Sequence, residues 1–456
     1  MSTIMGIGEE AIDSFDKRRK YAISAVGCNR MGLPMACLLA EAGYSVTAVD
    51  TDRRAVSLIK KGKAPFLEPG LNELLEKNIL ESRLTATNNI KDATSTSDVI
   101  IIGVSTGIDE KKRPDYSQLE KTCKDIGMGL RSGSLVIFES TTAPGGTEKT
   151  VKKGLEDTSG LKTGTDFGLA YSPVRATAGR VLQDFVNYPR VVSAIDEKSL
   201  RVACLILRSV VKSELVSVKN IKTAETVKLF ENVYRDVNLA LSNELGGFCE
   251  KADIDFVEVR KAANTQPHCH LLIPGLVGGQ IPTDPYMLLE ESENIGVKLG
   301  MVRRARATND GMLDHSIRLV GEALRSCEKT FRRAKIAVLG VTYRPNVKET
   351  QGSPVGRLVN MLTKKGASVR VYDPFLSYKE LVDLGFHTER TLAEVVESSD
   401  CILITVGHDQ FRNLSLAKLR VLTKKTAAIV DLGETINPSE AKKEGFVYLG
   451  LGRGVN

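Results

Sequence analysis

The chain has 456 residues, 42% of them hydrophobic and 26% charged, with a formal charge of +7 at neutral pH. That length predicts two or three domains with sizeable cores, and the composition is that of a soluble globular protein. Lys and Arg are spread along the chain, Trp is absent and no RNA-binding aromatic signature occurs, so anionic small ligands are expected and nucleic acid is not.

The first twenty residues end in a charged stretch, Asp16 to Lys20, and lack an apolar core of signal length. They read as a flexible or loosely docked extension, 1–20. No apolar run reaches the roughly 18 residues of a membrane span, so no membrane partner is expected. Eight cysteines (28, 37, 123, 204, 249, 269, 327 and 401) show no metal-ligand spacing and mostly sit in apolar segments. They read as reduced, buried thiols of a cytoplasmic protein. His268 and His270 flank Cys269, but without further ligands nearby no metal is expected.

The segment 21–215 begins as a βαβ unit: strand Tyr21–Val26, a break at Gly27, helix Met31–Ala42 and strand Ser45–Val49 closing on Asp50. An acid 18 positions after Gly32 is placed to hold a ribose and opposes an extra phosphate, which favours NAD over NADP. The glycine fingerprint reads Gly27-Cys28-Asn29-Arg30-Met31-Gly32, so Asn29 stands where the backbone should approach the pyrophosphate. Asn tolerates left-handed backbone angles, which would preserve the turn, and Arg30 offers a compensating charge. A Rossmann fold that has lost its cofactor is the other reading. Strands Ser97–Val104 and Ser134–Phe138 lead into loops that carry Ser105, Thr106 and Thr141, further candidate cofactor contacts because such loops gather at the crevice. Strand Leu169–Ser172 leads into Pro173-Val174-Arg175.

The segment 216–320 is helical. Ile221–Glu250 carries Ala224, Val227, Phe230, Val233, Val237, Ala240 and Leu241 at helical spacing, interrupted by a polar line of Glu225, Lys228, Asn232, Asp236 and Asn243. Residues three and four apart share a face, so Lys228 and Asn232 project side by side, and a solvated face is the bland alternative. Ile273–Tyr286 (IPGLVGGQIPTDPY) is a Gly/Pro-rich loop whose Gly275, Gly278 and Gly279 let the backbone approach a ligand. Met301–His315 is a second polar-faced helix with Arg306, Asn309 and Asp310. From 321 to 456 a second α/β unit follows, with strand Lys335–Leu339, helix Pro354–Lys365, strand Ser368–Tyr372 and strand Ala427–Leu432. The expected fold is therefore α/β, two doubly wound Rossmann-like domains joined by a central helical region. The joining helices are too apolar for a linker and predict a homodimer or higher homo-oligomer.

Taken in order, AETVKLFENVYRDVN, AANTQPHCHLLIPGLVGGQIPTDPY and ARATNDGM resemble the nucleotide-sugar 6-dehydrogenases, the UDP-glucose/GDP-mannose dehydrogenase family, and within it the UDP-N-acetylmannosamine branch. The resemblance runs from about Tyr21 to the C-terminus. It implies NAD as cofactor, a UDP-sugar as substrate, and oxidation of a primary alcohol to a carboxylate in two hydride transfers. It further implies that Lys228 stabilises an oxyanion, Asn232 orients water or substrate and Asp284 helps take the proton. Arg175, Gly275, Gly278, Gly279, Tyr343 and Arg344 would contact the substrate.

The departures are equally specific. The family loop PGxGVGGHCIxxDP supplies a nucleophilic cysteine; here it is two residues shorter, PGLVGGQIPTDP, with Gln280 in place of the His-Cys pair. By the resemblance, Val174 stands where the family has a glutamate that assists hydrolysis of the covalent intermediate, and Gln351 where it has an arginine that grips the nucleotide sugar. His268 stands where the branch tends to carry Arg. Cys269 does not match the nucleophile's position. The first reading is thus an atypical NAD-linked nucleotide-sugar oxidoreductase, stopping at a two-electron step or using water as nucleophile. The alternatives are a redox-neutral, epimerase-like enzyme on the same scaffold and a non-catalytic nucleotide-sugar-binding relative.

Overall fold

The computed structural model describes residues 7–454. The chain forms two compact units: the residues up to Glu231 together with Tyr286–Val297, and Asn232–Pro285 together with the chain from Lys298 onward.

The strands of the first unit are β1 (Ala22–Val26), β2 (Ser45–Val49), β3 (Leu84–Thr87), β4 (Val99–Ile102), the short hairpin β5 (Gly107–Ile108) and β6 (Pro114–Asp115), β7 (Leu135–Phe138), β8 (Gly168–Tyr171), β9 (Arg190–Ala194) and β10 (Leu215–Ser217). Eight of them make one sheet in the order β10-β9-β8-β7-β4-β1-β2-β3. Every pairing in it is parallel except β8 with β9. The runs Val99–Ile102 and Leu135–Phe138 are buried at every position, as a sheet covered on both faces requires. Strand order reverses between β1 and β4, the switch point at which ligands of such sheets lie beyond the carboxyl ends of the strands.

One expectation for this unit is corrected. Residues 7–20 are docked rather than loose. Ile7 and Ile12 are buried in the core with Leu33, Leu39 and Val46, and the Arg18 guanidinium donates to the carbonyls of Ile12 at 2.7 Å and Ala42 at 3.0 Å. The charge of the segment concealed two isoleucines with enough apolar area to anchor it. Residues 1–6 of that extension lie outside the described residues.

In the second unit, β11 (Lys335–Leu339), β12 (Ser368–Tyr372), β13 (Cys401–Ile404), β14 (Ala428–Asp431) and β15 (Val447–Gly450) form an all-parallel sheet ordered β12-β11-β13-β14-β15. The expected pair of doubly wound sheets is borne out. The long helix spans Ile221–Ala252, 32 residues. The expected helix Met301–His315 corresponds to two successive helices, Gly300–Asp310 and Met312–Ser326, that meet at Gly311, itself in right-handed helical conformation.

Candidate active site

At the carboxyl ends of β1, β2, β4 and β7, the first unit gathers most of the residues expected at a cofactor. Gly27 has φ +103°, and a Cβ there would come within 2.9 Å of the Gly103 carbonyl, so only glycine fits. A Cβ on Gly32 would overlap the Gly27 carbonyl oxygen, which makes glycine the condition for the helix Gly32–Glu41 to pack so closely on β1. Asp50 follows β2, its carboxylate accepting the amides of Cys28 at 2.7 Å and Asp52 at 2.9 Å. Thr106 donates its hydroxyl to the Thr141 carbonyl at 2.6 Å, joining the loops after β4 and β7. These glycines and this acid fit a dinucleotide.

Asn29 departs from the expectation made for it. It is not among the described non-glycine residues with positive φ, so tolerance of left-handed angles is not what keeps the turn. Its side chain does so instead. Oδ1 accepts the amides of Met31 at 2.9 Å and Gly32 at 3.0 Å, while Nδ2 donates to the Gly103 carbonyl at 2.6 Å and reaches the Ser105 hydroxyl at 3.3 Å. Arg30 directs its guanidinium to the Leu67 carbonyl at 2.8 Å and over the Phe66 ring, 5.1 Å from the centroid.

Around this end lie two buried carboxylates that sequence reasoning left without a role, Glu225 and Glu139, together with Arg175, expected at the substrate, and Val174. Glu225, on the first turns of the long helix, is buried and accepts the amides of Gly145 and Thr147, which pins the loop after β7. Burial pushes its carboxyl up, against the pull of those amides. Glu139, at the end of β7, is fully buried against Arg190, and desolvation raises its carboxyl despite that partner. Arg175 is ion-paired with Glu231 and donates to the Pro189 carbonyl at 3.1 Å. Val174 packs against the hydrophobic core.

In the second unit, the Gly/Pro-rich loop folds onto the segment after β11. The Gly279 amide donates to the Gly352 carbonyl at 3.1 Å. A Cβ on Gly278 or Gly279 would stand 3.0–3.2 Å from Tyr343 side-chain atoms, so both glycines admit the tyrosine to the loop. Gly352, at φ +73°, is the reciprocal requirement, since a Cβ there would meet the Gly279 carbonyl oxygen at 2.9 Å. The Arg344 carbonyl accepts the Thr342 hydroxyl at 3.1 Å. Gln280 is solvent-exposed, and its carbonyl accepts the amides of Thr283 and Asp284 as the chain turns into the helix Asp284–Asn294. Asp284 is buried, and its carboxylate accepts a hydrogen bond from the Asn232 amide group. Lys228, four residues earlier on the long helix, belongs to the first unit and is half-buried.

Beneath the loop runs a buried polar chain. Asn243 brackets Gly275, accepting its amide at 2.7 Å and donating to its carbonyl at 3.2 Å, and also donates to Asn309 at 2.9 Å. Asn309 donates to the Asp236 carboxylate at 2.8 Å, which pairs with Arg306 at 2.5 Å. Sequence spacing identified these side chains as polar lines on two helices; only the packing shows that the lines face each other.

All eight cysteines are free, six of them buried. Burial drives the thiols of Cys37 and Cys123 up to about 12 and raises Cys28, Cys204, Cys249, Cys327 and Cys401, so none of these is a thiolate near neutral pH. Cys269 sits in the turn closed by the Asn264–Leu271 hydrogen bonds.

A mostly parallel sheet with this strand order, a glycine turn after β1 and an acid after β2 are the features of a dinucleotide-binding protein. Residues 21–211, 222–311 and 337–438 match the NAD binding, central and UDP binding domains of the UDP-glucose/GDP-mannose dehydrogenase family. The chain belongs to that family, whose members are NAD-dependent oxidoreductases acting on the CH–OH group of a nucleotide sugar. It is 33% identical over 434 residues to a UDP-N-acetyl-D-mannosamine dehydrogenase of Pyrococcus horikoshii, covering 95% of this chain and 99% of the relative. It is 31% identical over 416 residues to a UDP-N-acetyl-D-glucosamine 6-dehydrogenase of Pseudomonas aeruginosa, covering 90% and 96%. Among solved structures, the P. horikoshii UDP-D-ManNAc dehydrogenase superposes with a TM-score of 0.87 at 32% identity, over 95% of this chain and 99% of that one. An NDP-N-acetyl-D-galactosaminuronic acid dehydrogenase of Methanosarcina mazei does so at 0.81 and 29%, over 97% and 98%. No described helix is long and apolar enough to cross a membrane.

Proposed function

We propose that this chain oxidises a UDP-N-acetylhexosamine of the mannosamine type, and that its own residues support the first, two-electron step of the family reaction. The observation that carries the reading is the hydrogen-bonded pair Asn232–Asp284, retained beside an exposed Gln280. A buried carboxylate that accepts an amide N–H is held as an acceptor, aimed for a proton from an alcohol. Lys228, one turn away, supplies positive charge for the alkoxide that forms as the proton leaves. NAD, held by Gly27, Gly32, Asp50, Ser105 and Thr141, supplies the hydride acceptor when bound.

The second step requires a nucleophile to convert the aldehyde into a hydride donor. Gln280 is an amide and not a nucleophile, and Val174 offers no carboxylate for hydrolysis. Both halves of the thioester route are therefore missing together, which supports a product at the aldehyde level or its hydrate. UDP-sugar specificity is supported by the names of the similar proteins and by Tyr343 and Arg344 in the UDP binding domain.

We further propose that the long helix pairs with a second copy of this chain. Tyr234, Leu241, Leu245 and Phe248 are 37–67% exposed and recur at spacings of seven, four and three, the seam expected of self-pairing helices.

The test is to mix the purified protein with NAD and UDP-N-acetylmannosamine, follow reduced nicotinamide by absorbance and weigh the product. One reduced cofactor per sugar, with an aldehyde or hydrate, is expected. Two per sugar with a uronate would refute the two-electron reading; turnover without net reduction would favour the redox-neutral alternative.

A further inference from the structure

Asn29 does more than replace a glycine. In a dinucleotide fold the amides at the start of the helix after β1 are the donors that take the pyrophosphate, assisted by the partial positive charge of the helix N-terminus. Here two of those amides, Met31 and Gly32, already donate to Asn29 Oδ1 at 2.9 and 3.0 Å. The same side chain also crosses the switch point. Its Nδ2 donates to the Gly103 carbonyl beyond β4 at 2.6 Å and lies 3.3 Å from the Ser105 hydroxyl. One amide group thus satisfies two of the anion-binding donors and ties together the two loops across which a dinucleotide would lie.

We propose that Asn29 is a built-in cap on the dinucleotide site, an uncharged surrogate for the pyrophosphate that the cofactor must displace in order to bind. The inference rests on the cofactor being NAD. Bonding inside the chain competes with bonding to phosphate: each donor given to the cofactor is first withdrawn from Asn29, and the Gly103 carbonyl loses its partner in the exchange. The cap stabilises the empty turn and weakens the cofactor by the same interactions. Arg30 does not substitute for the lost approach, since its guanidinium is engaged with Leu67 and Phe66.

A displaceable cap and a purely structural role both predict a less stable apo protein on removal of Asn29, and differ in the sign of the change in cofactor affinity. If Asn29 only held the turn, removing it would lower both thermal stability and cofactor affinity. If it is a displaceable cap, N29G lowers the melting temperature of the cofactor-free protein yet binds NADH more tightly, by about tenfold, equivalent to about 1.4 kcal/mol. N29A, which removes both hydrogen-bonding atoms but keeps Cβ, shifts in the same direction by less.

Dissociation constants for NADH, from its fluorescence enhancement or by calorimetry, are measured on the full-length wild type, N29G and N29A, with melting curves alongside. Tighter binding by either variant with a lower apo melting temperature is the expected result. Equal or weaker binding in every variant that folds overturns the cap while leaving the cofactor in place. Failure of all three proteins to bind NADH overturns both the cap and the cofactor reading. N29A carries the decision should N29G not fold.

Discussion

Asp236→Ala is the sharpest perturbation of the framework beneath the glycine loop. Asp236 is 0% and Arg306 2% exposed, and the carboxylate takes both the Arg306 guanidinium at 2.5 Å and the Asn309 amide at 2.8 Å. Removing one partner of a buried ion pair costs about 3–5 kcal/mol, because the remaining charge is stranded in low dielectric. Asp310 stays against the other side of the guanidinium at 2.5 Å and is 30% exposed, so it retains part of the compensation. The lost bond to Asn309 adds roughly 1 kcal/mol, and the net expectation is about 2–4 kcal/mol. Asp236→Asn keeps an acceptor for Asn309 and loses the charge, so it should fall between wild type and Asp236→Ala. Urea unfolding followed by far-UV circular dichroism measures the cost, since the chain has no Trp to report by fluorescence. Hydrogen exchange at the Gly275 amide measures transmission, since that amide is held through Asn243 and Asn309. A loss below about 1 kcal/mol, with unchanged protection at Gly275, would refute the claim that this pair supports the loop.

Four further outcomes are expected. Asn232→Ala should lower kcat for the first oxidation by about 10- to 150-fold, the equivalent of the roughly 1.5–3 kcal/mol of a hydrogen bond to a charged group, with KM nearly unchanged; steady-state kinetics on a UDP-sugar decide it, and an unchanged kcat would show that the Asn232 hydrogen bond to Asp284 does not contribute to the reaction. Gly352→Ala forces a side chain to φ +73° and against the Gly279 carbonyl, so it should cost about 1–3 kcal/mol and speed exchange of the Gly279 amide. Glu225→Gln tests linkage. Burial raises the folded carboxyl above its ordinary value, so the native state holds a proton that the unfolded state has released, and wild-type stability declines as pH rises from the usual carboxylate range through the raised value. The variant lacks that decline, and its stability relative to wild type should improve across the same window in melts at stepped pH. Phe248→Glu with Leu241→Glu should leave a monomer in sedimentation velocity if the exposed seam pairs two chains, whereas an unaltered oligomer would place the interface elsewhere.

Local sequence sufficed wherever a chemical requirement is met within a few residues. Gly27 and Gly32 announce a turn that admits no side chain, Asp50 follows the strand after it, and short unbroken runs of β-branched residues such as Val99–Ile102 read as strands covered on both faces. Strand boundaries such as Ser45–Val49 and Lys335–Leu339 could be read directly from that pattern. The pairing of Asn232 with Asp284 could not, because 52 residues separate them and only the chain's return brings them together. The same holds for the buried line from Asp236 to Gly275. On one helix its members look like a solvated face, and desolvation is imposed by the second helix. The docking of residues 7–20 was hidden by their charge, since two isoleucines show no periodicity until a core is there to receive them. Asn29 marks the division most clearly. Sequence alone determined that a side chain stands where the phosphates approach, but which amides and which carbonyl it claims depended on β4 lying next to β1, a neighbour more than seventy residues away in the chain.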